Sequence, residues 1–240
     1  MKNLLKADVI QLVTTRTARF TALIVFGLIL VGCTIVLFLM PQSIELNNLQ
    51  AFDPVILFFA MITVTSGYRH RVAVTEQLIS PKIWDVMLSK LIVFGALGAL
   101  FKILYTGLVA IMFAVWPGAG INLATSDLWS ISLAAFGAAI SAMLGVALGR
   151  LIRAPVAAIL ATVAYALILE PTLRSPLLVR LLDIKEELYE SFTKFLPGAA
   201  FNELIGESTA TSAKSAAVLL AWVALLSFCS ILLDRRREWR

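Results

Sequence analysis

The chain has 240 residues, 60% of them hydrophobic and 15% charged, and a mean hydropathy of +0.92. A soluble domain of this length is nearer half apolar. The excess lies in long, nearly charge-free runs, which suits a chain whose solvent is lipid. The formal charge of +5 does not indicate nucleic acid, because the basic residues sit at the ends of apolar runs and form no contiguous face.

Residues 1–19 read as an amphipathic helix, with Leu5, Val9, Leu12 and Val13 on one face and Lys2 and Lys6 beside it. Such a helix lies on a membrane surface where cations meet anionic headgroups, or it is a frayed leader. It is not expected to be a signal peptide, since no small-residue cleavage site follows the first long apolar run. That run, 20–40, is the first expected span, stopped by Pro41. The second, 54–68, opens with Asp53 as a cap and Pro54 in the first turn. It is short against the roughly 20 residues that a span needs.

The connection 67–85 is too long and too apolar for a simple turn, and is expected to hold a short surface helix that offers side chains to a partner. The third span, 91–116, ends at Pro117-Gly118 and carries Lys102 near its middle. A charge there marks a polar pathway, an ion pair with a group such as Glu170, or an accommodation at a subunit interface. The fourth span, 128–149, places Gly137, Ser141, Gly145 and Gly149 at steps of four, a small-residue ridge that lets another helix approach closely. The fifth, 155–169, leads into an outer loop, 171–213. Leu177, Leu181, Ile184, Leu188, Phe192 and Phe195 recur there at helical spacing, and Pro197-Gly198 breaks the stripe before a second short helix from Phe201. These helices either lid something at the outer surface or simply lie in the interface. The sixth span is 215–233.

Lys and Arg alternate across the connections up to the last loop, 170–214, which carries both signs but, being long, counts little in this pattern. They occur before span one, in 67–90, at Arg150 and Arg153, and in the tail at Arg235, Arg236, Arg237 and Arg240, whereas 41–53 and 117–127 have none. By the positive-inside rule both termini are cytoplasmic in a multi-pass protein. The expected fold is therefore an all-α integral membrane protein, a bundle of six transmembrane helices.

No phosphate-binding Gly-x-x-x-x-Gly-Lys-[Ser/Thr] occurs, there is one histidine, and no metal-ligand spacing or catalytic cluster is found, so neither an enzyme nor a metal protein is expected. Cys33 and Cys229 lie inside apolar runs as small buried side chains.

Tyr68-Arg69-His70, then Leu78, Ser80-Pro81 and Lys90 opening an apolar span, resembles the Glu-Tyr-Arg-His-Gly-Thr…Leu-x-x-x-Pro…Lys stretch of type-2 ATP-binding-cassette (ABC) exporter permeases. The span layout, Leu169-Glu170-Pro171 and Phe195-Leu196-Pro197-Gly198-Ala199 look like that family too. The chain departs from it at Gly67, Arg71 and Val72, where the family often has Glu, Gly and Thr. The resemblance implies a permease in the cell membrane that pairs as a homodimer or heterodimer and docks separate cytoplasmic ABC ATPase subunits. ATP and Mg would be bound by those partners, and this chain would hold no cofactor. It also implies a coupling helix in 67–85, with Tyr68, Arg69, His70, Glu76, Gln77, Ile79 and Pro81 seated in the ATPase. Substrate would pass along a dimer seam lined by spans one, two and five. An outer gate of Leu181, Leu188, Phe192, Phe195 and Pro197 would control its exit. An ATP-independent secondary transporter or channel is the alternative, and a membrane enzyme or assembly factor a third. The first of these would want paired intramembrane charges or repeated halves, and the second a polar catalytic cluster.

Overall fold

The computed structural model describes residues 2–14, 53–69, 83–115, 125–175, 192–204 and 209–238, together with 189 and scattered positions between 19 and 31. These residues are helical almost throughout, with no strand among them. The helices are α1 (Lys2–Thr14), α2 (Asp53–Arg69), α3 (Ile83–Val115), α4 (Thr125–Ile152), α5 (Pro155–Ala164), α6 (Glu170–Leu173), α7 (Pro197–Leu204) and α8 (Thr209–Glu238). A π-helical segment, Tyr165–Leu169, joins α5 to α6 without a break.

Among the described residues, four stretches are long and apolar enough to cross a bilayer: Ile83–Ile111, Ile131–Ile152, Pro155–Leu173 and Thr211–Asp234. Pro54–Tyr68 is a shorter apolar helix. The protein is thus a helical, membrane-embedded one. Of the expected first span only positions 20, 22–24, 26, 27 and 31 are described, all helical. Within the connection 67–85, α2 continues through Arg69 and α3 already begins at Ile83, so only 70–82 lies outside the described residues. The third helix begins well before position 91 because Ile83-Trp84 and Val86-Met87-Leu88 extend its apolar pattern through the intervening polar residues.

The helix α4 is the hub. α2, α3 and α8 pack along it, and α5 and α7 touch it. Its small residues explain why. Gly137, Ala138, Ser141, Ala142, Gly145 and Gly149 are all buried. A Cβ at Gly145 would run into the carbonyl of Leu57, and one at Gly149 would meet that of Met61 at 2.9 Å. On the neighbouring seam Gly98 of α3 abuts Ala138 and Ala142. The ridge therefore seats α2 of the same chain, backbone against side-chain-free backbone. In lipid that contact gains dispersion without any hydrophobic drive.

Larger side chains fill what remains. Ile56, Phe59, Val64, Met87, Phe94, Tyr105, Val146 and Ile231 form one core between α2, α3, α4 and α8. Phe59 stands edge-on to Phe101 at 5.5 Å between ring centroids. A second core joins Ile140 and Leu144 to Ala200, Leu204, Leu219 and Val223, and so holds α7 to α4 and α8. Hydroxyls inside the bundle donate back to their own helix, as Thr65 does to the carbonyl of Met61 at 2.9 Å and Thr106 to that of Lys102 at 2.9 Å. No water is present in hydrocarbon to take these protons.

The helix α1 docks on the base of α3. Its buried face is Leu4 and Asp8, with Leu12 partly covered, while Val9 and Ile10 point outward at 49% and 50% exposure. Of the stripe Leu5, Val9, Leu12 and Val13, Leu12 packs against the core and Val9 faces outward, while an ion pair of Asp8 ties the helix to α3.

Candidate functional site: polar clusters at the two ends of the bundle

The basic end is built around Asp234, which closes the last apolar turn of α8 with 2% exposure. Its Oδ2 accepts from Nε of Arg150 at 2.8 Å, and its Oδ1 accepts from Nη2 of Arg153. Arg150 ends α4 and is itself 4% exposed, with its Nη1 lying 3.7 Å from the sulfur of Met87 on α3. Removing charges from water is costly unless they are paired and hydrogen-bonded. One carboxylate serves both guanidiniums here.

Arg153 occupies the left-handed backbone region, φ 58°, in the turn between α4 and α5. Its N–H donates to the carbonyl of Gly149 at 2.9 Å, ending α4 as a glycine usually would. Ala154 is extended, φ −112° and ψ 117°, because it precedes Pro155. The turn brings the guanidinium of Arg153 over the ring of Tyr68, 5.0 Å from the centroid. A cation–π contact thereby joins the end of α2 to the α4–α5 turn and, through Asp234, to α8. Beside it, Asp8 accepts from the hydroxyl of Ser89 and pairs with Nζ of Lys90 at 3.6 Å.

The opposite end is held by Glu170, 8% exposed, whose carboxylate pairs with Arg174 one turn on. The same carboxylate rests on Gly198, at the start of α7. The helical turn at 192–194 stops before Pro197, as the stripe's break predicts, and the next helix opens at Pro197 itself rather than at Phe201, the proline's missing N–H being one of the four that a helix start leaves unbonded. A second clip is Trp222 of α8, whose Nε1 donates to the carbonyl of Phe195 at 2.8 Å. Ser215 donates to Glu203 at 3.2 Å below it. The helix α7 thus bridges the ends of α6 and α8.

Of the residues singled out in the sequence, Tyr68 ends α2 within the basic cluster, and Arg69 is the last residue of that helix. His70, Glu76, Gln77, Ile79 and Pro81 lie outside the described residues, as do Leu181 and Leu188. Phe192 and Phe195 are 53% and 60% exposed, and Pro197 is half-buried at the start of α7. Gly137, Ser141, Gly145 and Gly149 are packed inside the bundle. Lys102 is enclosed in α3 at 2% exposure, and Glu170 stands at the clip against Gly198, at the end away from Asp234. Asp8 and Asp234 were not legible as partners, although each is the lone acid of an otherwise apolar or basic stretch. Among the described residues no group of three His, Cys, Asp or Glu side chains is placed to hold a metal ion. No protein-family model, curated protein or solved structure matches the chain.

Proposed function

We propose that the chain is the transmembrane permease subunit of an ABC-type exporter, coupling ATP hydrolysis by separate ATPase subunits to export of a hydrophobic or amphipathic substrate such as a drug, lipid or peptide. It would work in the cell membrane with both termini cytoplasmic, as a homodimer or heterodimer, while ATP and Mg act in the partner.

The observation that supports this reading is the contact of Arg153 with Tyr68 and Asp234. Tyr68 stands just before the segment 70–82, where the resemblance places the coupling helix. A push from an ATPase on that segment needs a stiff path into the bundle, since only contacts that differ between two states shift a permease between them. Tyr68, Arg153, Asp234 and Arg150 give such a path into α2, α4, α5 and α8 together. At the other end, α7 bridges the ends of the fifth and sixth spans, as a gate would.

The test is co-purification of the tagged chain with a cytoplasmic P-loop ATPase, followed by substrate-stimulated ATP hydrolysis in lipid. Charge reversal at Arg69 or Glu76 should weaken the association. A second reading, an ATP-independent secondary transporter or channel, draws on the enclosed Lys102 within α3. It prevails if the purified chain alone moves solute down an ion gradient.

A further inference from the structure

We propose that Arg153 and the adjoining exposed edge of α5 form a binding site for one anionic phospholipid, with the phosphate on the guanidinium and an acyl chain along Val156 and Leu160. Charge comes first. Two guanidiniums share the carboxylate of Asp234, and each of its oxygens is already engaged, one by Arg150 and one by Arg153. The cluster therefore keeps one positive charge in excess. Arg150 is sealed, with 5% of its side chain exposed, whereas 32% of the Arg153 side chain is open. The Nε of Arg153 is enclosed with no hydrogen-bond partner, which leaves this guanidinium short of acceptors. A phosphate on its open edge supplies acceptors to the exposed Nη–H groups and the missing charge, and guanidinium suits phosphate geometry.

The level in the membrane is the second argument. Trp84, in the first turn of α3, is 45% exposed and packs on Phe228 of α8, ring centroids 6.2 Å apart. Exposed tryptophans of spanning helices sit at the headgroup boundary. Asp234 follows Phe228 by six residues, about 9 Å along a helix. Arg153 thus lies just beyond the aromatic level, where lipid phosphates are. The next residues of α8 are Arg235, Arg236 and Arg237, which raise the local potential further.

Shape is the third. Val156 and Leu160, at 68% and 62% exposure, stand one turn apart on one face of α5, starting three residues after Arg153. A charged head above an apolar track fits a lipid. Free phosphate would leave the track bare. Finally, a non-glycine residue in the left-handed region is costly, yet the α4–α5 turn places arginine there. Glycine would close the turn with less strain but would carry no guanidinium.

The experiment is native mass spectrometry of the full chain released from nanodiscs of phosphatidylcholine with one-fifth phosphatidylglycerol, with thermal melting in the same discs. The wild type should retain phosphatidylglycerol roughly fivefold over its bulk share, the effect of about one basic side chain at the headgroup level. Arg153→Gln should bring retention down to the bulk ratio, Arg153→Lys should keep part of it, and Val156→Ser, which leaves the ion cluster untouched, should lower it about twofold. A photo-crosslinker at position 156 should capture lipid. Wild-type retention at the bulk ratio overturns the site, even if Arg153→Gln fails to fold. Equal stabilisation by inorganic phosphate in pure phosphatidylcholine discs also overturns it, as does capture of a second copy of the chain at position 156.

Discussion

Gly198 stands against the carboxylate of Glu170 so closely that a Cβ at residue 198 would overlap both carboxylate oxygens. This contact joins the end of the Pro155–Leu173 stretch to the short helix α7, and a larger residue at 198 would force the carboxylate, the far end of a flexible side chain, to swing away. Gly198→Val should therefore break the Glu170 contact and loosen α7 without unfolding the bundle. In a background with Cys33 and Cys229 replaced by serine, a cysteine at Asn202 or Leu204 reads the change. Leu204 is fully buried now and should become reactive to a polar maleimide, while Asn202, already exposed, should not change.

Asp234 neutralises Arg150 and Arg153 at once. Asp234→Ala leaves the buried guanidinium of Arg150 and the half-buried one of Arg153 without a counterion, and should cost about 3–5 kcal/mol. The loss is read as a lower melting temperature in detergent. Asp234→Glu should recover part of it. The double variant Asp234→Leu with Arg150→Met should be less destabilised than the sum of the singles, since apolar groups of similar volume replace a pair whose desolvation offsets much of its attraction.

Asp8 fixes α1 to the base of α3 through Ser89 and Lys90. Asp8→Leu should release α1 to the membrane surface while the spanning helices keep their stability. Proteolysis between α1 and the first span, or spin-label mobility at Leu4, measures the release. Leu4 is 7% exposed in the docked state. Lys90→Asp combined with Asp8→Lys should restore docking if the ion pair, rather than the apolar contact, sets the rotation.

Gly145 meets the backbone of Leu57 across the α2–α4 seam. Gly145→Val should cost about 1–3 kcal/mol by overpacking, and Gly149→Val, beside the carbonyl of Met61, a similar amount. Gly107, where nothing lies within 4 Å of an added Cβ, is the control, and Gly107→Val should be close to neutral. The three variants can be ranked by melting temperature.

The parts of the architecture that lipid dictates were legible in the sequence. Long apolar runs with basic ends yield spanning helices because backbone hydrogen bonds must close internally. The step of four among Gly137, Ser141, Gly145 and Gly149 marks a close seam for the same reason. What periodicity does not carry is partner choice. Asp234 reads as the start of a polar tail, and only tertiary packing shows that it faces Arg150 and Arg153, more than 80 positions earlier in the chain. The docking of α1 is not carried by its apolar stripe alone, since Asp8, buried against Ser89 and Lys90, also ties it to α3. Pro197 both follows the end of one helical turn and opens the next helix, so the sequence shows the break but not that the second helix starts at 197 rather than at Phe201.

The five residues Tyr165–Leu169 wind more widely than the helix on either side of them. One surplus residue is thereby held within an otherwise regular spanning rod. Rewinding that segment to ordinary pitch would carry Glu170 about 100° around the axis, one residue's share of a 3.6-residue turn. Its carboxylate would leave Gly198, and the Glu170–Gly198 clip would open while the Arg153 end of the rod and its ion cluster stayed in place. The surplus residue would thus let one end of the rod turn without the other.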